Sequence, residues 1–141
     1  MQISKTTIVK AQFFDVDSMN VVWHGNYVKY LEIARCELLD EIGYNYENMK
    51  KDGFAFPIVK LDIKYVRPVF FADEIEVEAR LVDFESFLKI SYIIKNHKTK
   101  EKISVANTWQ IAIDMINKET CTIMPDSFKE AIKKYLKRSS E

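Results

Sequence analysis

Along this chain the spacing of apolar positions switches between two periods, and the switch outlines the elements. From Asn26 to Ile42, Tyr27, Tyr30, Leu31, Ala34, Leu38 and Ile42 recur at the three-to-four spacing of one helix face. Lys29, Glu32, Glu37, Asp40 and Glu41 fall mostly elsewhere, and Gly43 follows where a helix needs a left-handed stop. The spacing therefore predicts a long helix over 26–42 whose apolar stripe packs against something broad. Before it, Thr7 to Phe14 reads as a strand ending at Asp15-Val16-Asp17-Ser18; after it, Tyr46 to Lys51 reads as a short, helical connection. Alternation then takes over. Ile75, Val77, Ala79 and Leu81 alternate with Glu74, Glu76, Glu78 and Arg80, and Leu88, Ile90, Tyr92 and Ile94 alternate with Lys89, Ser91 and Lys95. An exposed turn, Asn96 to Lys100, leads into a long strand from Ile103 to Met115. One face of that strand carries Ile103, Val105, Trp109, Ile111, Ile113 and Met115; the other carries the small Ser104, Ala106, Thr108 and Ala112, which would let a helix approach closely. Ile58 to Val66 is a further strand, stopped at Arg67-Pro68 because proline cannot donate to a ladder. Asp126 is placed to cap a closing helix over 127–136, and 137–141 reads as a frayed tail.

The order is strand, long helix, four or five antiparallel strands and a last helix: an α+β arrangement of one helix wrapped by one curved antiparallel sheet. The 141 residues suffice for one domain with one sizeable core, covering 1–141. With 48% apolar and 30% charged residues and a formal net charge of zero, the chain reads as globular and has no sequence-wide basic field for nucleic acid. No apolar run approaches the roughly 18–20 residues that span a bilayer, so membrane insertion is not expected. The first five residues lack the apolar core of a signal peptide, and Cys36 and Cys121 fit neither a metal spacing nor a disulfide framework. The expectation is a cytosolic protein with no metal and no cofactor of its own.

Chemistry concentrates in the run from Phe14 to Tyr27, which puts the carboxylate of Asp17 in a turn after a strand and His24-Gly25-Asn26 at the mouth of the long helix. A first helical turn has unpaired N–H groups and a partial positive charge, so a carbonyl docked there would be polarised and its oxyanion stabilised without a metal. Asp17 could attack that carbonyl or deprotonate a water; equally, an Asp in a turn can simply bond a nearby N–H. Asn26 can cap the helix. Trp23 and Tyr27 could line a pocket or fill the core, and Arg67 could mark a strand end or meet a phosphate.

Asp-x-Asp-x-x-x-Val-Val-x-His-x-Asn-Tyr, followed by Tyr30-Leu31-Glu32-x-x-Arg35-x-Glu37-Leu38-Leu39, resembles the 4-hydroxybenzoyl-CoA thioesterase family, in particular its Tol-Pal-associated branch of acyl-CoA thioesterases. The resemblance continues through Tyr65-x-Arg67-Pro68 and Asp73-Glu74-Ile75-x-Val77 to Pro125. It implies a hotdog fold that assembles as a homodimer or homotetramer with active sites at the subunit interface. It also implies acyl-CoA as substrate, Asp17 as the catalytic carboxylate and His24 beside the oxyanion-binding helix terminus. Gly25 and Asn26 are then candidates for positioning the carbonyl, Trp23 and Tyr27 candidates for the acyl pocket and Arg67 a candidate coenzyme A contact, each beside its structural alternative. Two departures stand out. Asn20 occupies the place of a usual glycine, and Asn tolerates a left-handed backbone better than most residues. Asp83-Phe84-Glu85-Ser86 occupies the turn where aryl-CoA-specific members carry basic residues. Hydrolysis of acyl groups from acyl carrier protein, and a non-catalytic module that only binds acyl-CoA, are the competing readings.

Overall fold

The computed structural model describes residues 3–140. Five strands form the main sheet: β1 (Ile3–Lys10), β3 (Ile58–Tyr65), β4 (Glu74–Asp83), β5 (Leu88–Asn96) and β6 (Lys102–Gln110). They lie in the order β1-β4-β5-β6-β3, and every pair is antiparallel. The long helix α1 (Asn26–Ile42) has the bounds its periodicity predicts and lies against the sheet, closest to β1 and β4. Its six predicted stripe residues are all buried, and Gly43 ends it at φ 89° with its N–H bonded back to the carbonyls of Leu39 and Asp40. The short helix α2 (Tyr46–Lys51) forms where the connection was expected, capped by Asn45.

Four expectations need correcting. The first strand is Ile3–Lys10, not 7–14: Phe13–Asp15 winds into a single 3-10 turn because the buried carboxylate of Asp15 accepts the Gln12 N–H at 2.9 Å and draws the chain inward. The last long strand stops at Gln110, whose side chain bonds the Phe56 carbonyl at 2.6 Å. The chain then leaves the sheet, and Ile113–Asp114 (β7) joins a separate small sheet with β2 (Phe54–Ala55) and β8 (Glu119–Thr120). The small face of β6 is buried, but it does not bring α1 close. It leaves room for large side chains instead: the Tyr92 hydroxyl meets that of Thr108 at 2.8 Å, and the nearly buried Arg35 donates to the hydroxyls of Tyr46 (2.8 Å) and Tyr92 (3.4 Å). Finally, α3 (Asp126–Ser139) begins at Asp126, so this residue is the first of the helix, not its cap. The same helix runs through Ser139, with the Ser139 hydroxyl donating to the Tyr135 carbonyl at 3.0 Å, so most of the supposed tail is helical; Glu141 lies outside the described residues.

Candidate active site

The run between the 3-10 turn and α1 folds as a strap sewn down on both sides. Val16 bridges to Val22, Val21 bridges to Phe70, and the Val22 N–H donates to the Val69 carbonyl at 2.8 Å. This stitching brings Asp17 and the Val21–His24 run beside Arg67 and Pro68, which lie far along the chain. Asn20 sits at φ 65°, so the turn that usually needs glycine is made here by an asparagine in the left-handed region.

The strap is anchored by Asp15, which is 2% exposed. Its carboxylate accepts from the Tyr30 hydroxyl at 2.9 Å, from the Gln12 N–H and from the Lys29 ammonium. Burial pushes its pKa up, but the hydrogen bonds from Lys29, Gln12 and Tyr30 outweigh it and hold the carboxyl below its ordinary value. The Tyr30 phenol moves the other way, raised by burial and by the adjacent Asp15. The Asp15 carbonyl accepts from the Trp23 N–H (3.0 Å) and the Asn26 side chain (2.7 Å), which locks the entry to α1.

Asp17, Trp23, His24, Tyr27 and Arg67 all line one cleft of about 350 Å³, together with Tyr65 and Pro68. Asp17 is exposed there. Its Oδ1 accepts the N–H groups of Met19 (2.8 Å) and Val21 (3.3 Å), whereas Oδ2 has no hydrogen-bond partner among the described residues. One oxygen thus shapes the turn and the other remains available. Tyr27 is both a core residue and a cleft wall; burial, with Tyr65 alongside, raises its phenol. The Trp23 indole folds back over Gly25 so closely that a Cβ on Gly25 would fall 2.1 Å from the ring. Gly25 and Asn26 lie behind the cleft wall rather than on it. The Asn26 N–H is committed to the Trp23 carbonyl (2.9 Å), while among the described residues nothing accepts from the His24 and Gly25 N–H groups. The unpaired donors therefore sit one step before the helix proper.

Arg67 lines the cleft, but its guanidinium pairs with Glu101 (3.2 Å) and donates to the Lys102 carbonyl (3.1 Å). The acidic turn after β4 is tied to α3 by a Glu85–Lys129 pair at 3.5 Å, so it offers no cationic contact. Sequence reasoning gave no separate role to Tyr65. The Tyr65 hydroxyl donates to the His24 carbonyl at 2.8 Å, and its ring stands edge-on to Tyr27, with centroids 4.8 Å apart. Its only signal in the sequence was membership of the Tyr65-x-Arg67-Pro68 block.

The fold and site together define an α+β hotdog protein with a cleft at the mouth of its central helix. The family model of the thioesterase-like superfamily matches residues 11–132, and the chain belongs to that superfamily. It is similar to YneP of Bacillus subtilis (strain 168), provisionally named an acyl-CoA thioesterase, with 30% identity over 87 residues covering 62% of each chain. The match thus spans less than two thirds of that relative. A provisionally named esterase of Aquifex aeolicus (strain VF5) is 34% identical over 98 residues, 69% of this chain and 73% of that one. Among solved structures, the DHNA-CoA thioesterase of Staphylococcus aureus superposes with a TM-score of 0.82 at 25% identity, covering 98% of this chain and 95% of the other.

Proposed function

We propose that this protein is an acyl-CoA thioesterase, hydrolysing an acyl-CoA and water to a free acid and coenzyme A. The observation that supports this reading is one cleft lined by both Asp17, whose carboxylate keeps an uncommitted oxygen, and His24 at the mouth of α1, whose N–H has no acceptor among the described residues. The His24 N–H polarises the thioester carbonyl and stabilises the oxyanion. Asp17 either takes a proton from the attacking water or attacks the carbonyl carbon to form a mixed anhydride that water then hydrolyses, freeing the acid and Asp17; on both routes the carbon–sulfur bond breaks as the thiolate leaves. The His24 side chain stands beside the reacting group, and Asn26 acts as a positioning residue by holding the strap to Asp15. The thiolate is a good leaving group, so no strong general acid is required.

Val21, Trp23 and Tyr27 give the cleft an apolar side, which fits an aliphatic acyl group. Each buried methylene contributes roughly 0.8 kcal/mol, so longer acyl chains should be turned over more efficiently than acetyl. Arg67 is the cation nearest to hand for the coenzyme A phosphates, once released from Glu101. Placement in the Tol-Pal-associated branch is part of the same proposal and rests on the Asp15–Tyr27 and Tyr65–Val77 blocks.

A thiol-release screen over acyl-CoAs of increasing chain length and over acyl carrier protein tests the reading. Release from medium or long acyl-CoAs supports it. Release from acyl carrier protein alone would move the substrate to that carrier, and binding without release would make the chain a non-catalytic module.

A further inference from the structure

The backbone gives no reason for a glycine at position 25. Its φ of −66° and ψ of −24° lie in the right-handed helical region, which is open to residues with a side chain. What the glycine provides is space. A Cβ on Gly25 would fall 2.1, 2.4 and 2.7 Å from three carbons of the Trp23 benzo ring, well inside ordinary van der Waals contact. The ring would have to withdraw by about 1 Å or more to clear it. The Trp23 backbone cannot yield in its place, because it is held on both sides. Its N–H donates to the Asp15 carbonyl at 3.0 Å, and its own carbonyl accepts the Asn26 N–H at 2.9 Å. The His24 imidazole closes one flank of the indole, with ring centroids 4.9 Å apart. Trp23 lines the cleft and Gly25 does not, so the indole is the wall and Gly25 the seat beneath it.

We infer that Gly25 is a specificity-determining residue: its missing Cβ seats the Trp23 indole, and the depth of that seat sets the width of the cleft left for the acyl group. A group added at position 25 lifts the ring off its seat and takes room from the substrate. The inference rests on the thioesterase reading and deepens it by naming what limits the acyl group. Gly25 acts through Trp23, so its effect falls on the choice between acyl groups of different shape.

The test compares a branched acyl-CoA, 2-methyloctanoyl-CoA, with its straight isomer nonanoyl-CoA. The two have the same number of carbons and differ in width beside the carbonyl, so their ratio of kcat/KM reports shape. Gly25→Ala should lower the branched-to-straight ratio about tenfold, the scale on which an apolar pocket discriminates by one methylene. Trp23→Ala should raise it. In the Trp23→Ala background, Gly25→Ala should change the ratio by less than about twofold, because the ring it displaces is gone. Equal effects of Gly25→Ala in both backgrounds, or no effect while Trp23 is present, would overturn the inference and leave the thioesterase reading standing. If Gly25→Ala alone does not fold, Trp23→Ala decides, and an unaltered ratio in that variant would overturn the inference. A wild-type chain that releases no thiol from any acyl thioester would overturn both.

Discussion

Asp17 has two oxygens with different duties, and this makes a clean substitution possible. Oδ1 holds the turn by accepting two N–H groups, and Oδ2 is the uncommitted one. Asp17→Asn retains an oxygen to accept those bonds while removing the charge and the nucleophile or base. Turnover measured by thiol release should drop about 100-fold or more, the scale of losing a positioned base or nucleophile, with circular dichroism and Tm unchanged. A folded Asp17→Asn protein with near-wild-type turnover would remove Asp17 from the mechanism. The turn-forming reading of this residue and the catalytic one are thus compatible. The left-handed backbone of Asn20 is legible through the resemblance, in which a glycine usually holds that place, whereas Ala72, Lys100 and Lys118 reach the same region with no such signal.

The 3-10 turn and α1 are joined through the Asp15 cluster, and that joint should be visible in the pH dependence of stability. The pKa of Asp15 is lowered from its ordinary 3.8 in the folded chain, so its contribution is fully present above that value and is lost as pH falls through the lowered one. Tyr30 is raised above its ordinary 10.0, so its contribution is fully present below pH 10 and fades as pH rises beyond it. A series of Tm values against pH should show both limbs. Asp15→Asn should make the acid limb shallower and cost about 1–3 kcal/mol near neutrality, since it leaves donors around a buried site poorly matched. An unchanged acid limb would mean the cluster does not hold the strap.

The same elements explain which parts of the structure the sequence reveals. The limits of α1, β4 and β5 are legible because burial on one face imposes a period on each. The start of the chain is not: Phe13 and Phe14 look like strand residues, yet both are exposed, and a buried hydrogen bond to Asp15 sets their conformation. The two-residue strands β2, β7 and β8 are too short to carry a period. In the site, Asp17, His24 and Arg67 are near enough to a recognisable block to be picked out. Tyr65 depends on a contact across 41 positions that no local pattern encodes.

At the scale of the molecule, β3 is a sheet edge paired, among the described residues, only with β6, and it is exposed along nearly all its length. Leu61 and Tyr65 are opposite Thr108 and Ser104 of β6, residues of its buried face, yet they are 39% and 46% exposed because α1 lies toward the other edge. An open edge with apolar side chains on its inner face is the surface that pairing with a second copy would cover. Light scattering across micromolar concentrations should show a dimer or tetramer, and Leu61→Lys should shift it toward monomer with loss of turnover. A wild-type monomer with full activity would contradict the pairing.

The two tryptophans lie in very different settings. Trp23 is 53% exposed in the cleft, whereas Trp109 lies on the outer face of β6 between the ammonium groups of Lys60 (4.5 Å) and Lys89 (4.9 Å). The protein therefore carries an intrinsic optical probe and an internal standard. On titration with an acyl-CoA analogue, the emission of Trp23 should change while that of Trp109 stays constant. Trp109→Phe should retain the whole ligand-dependent signal, and Trp23→Phe should abolish it, so cleft occupancy could be followed in real time without a label.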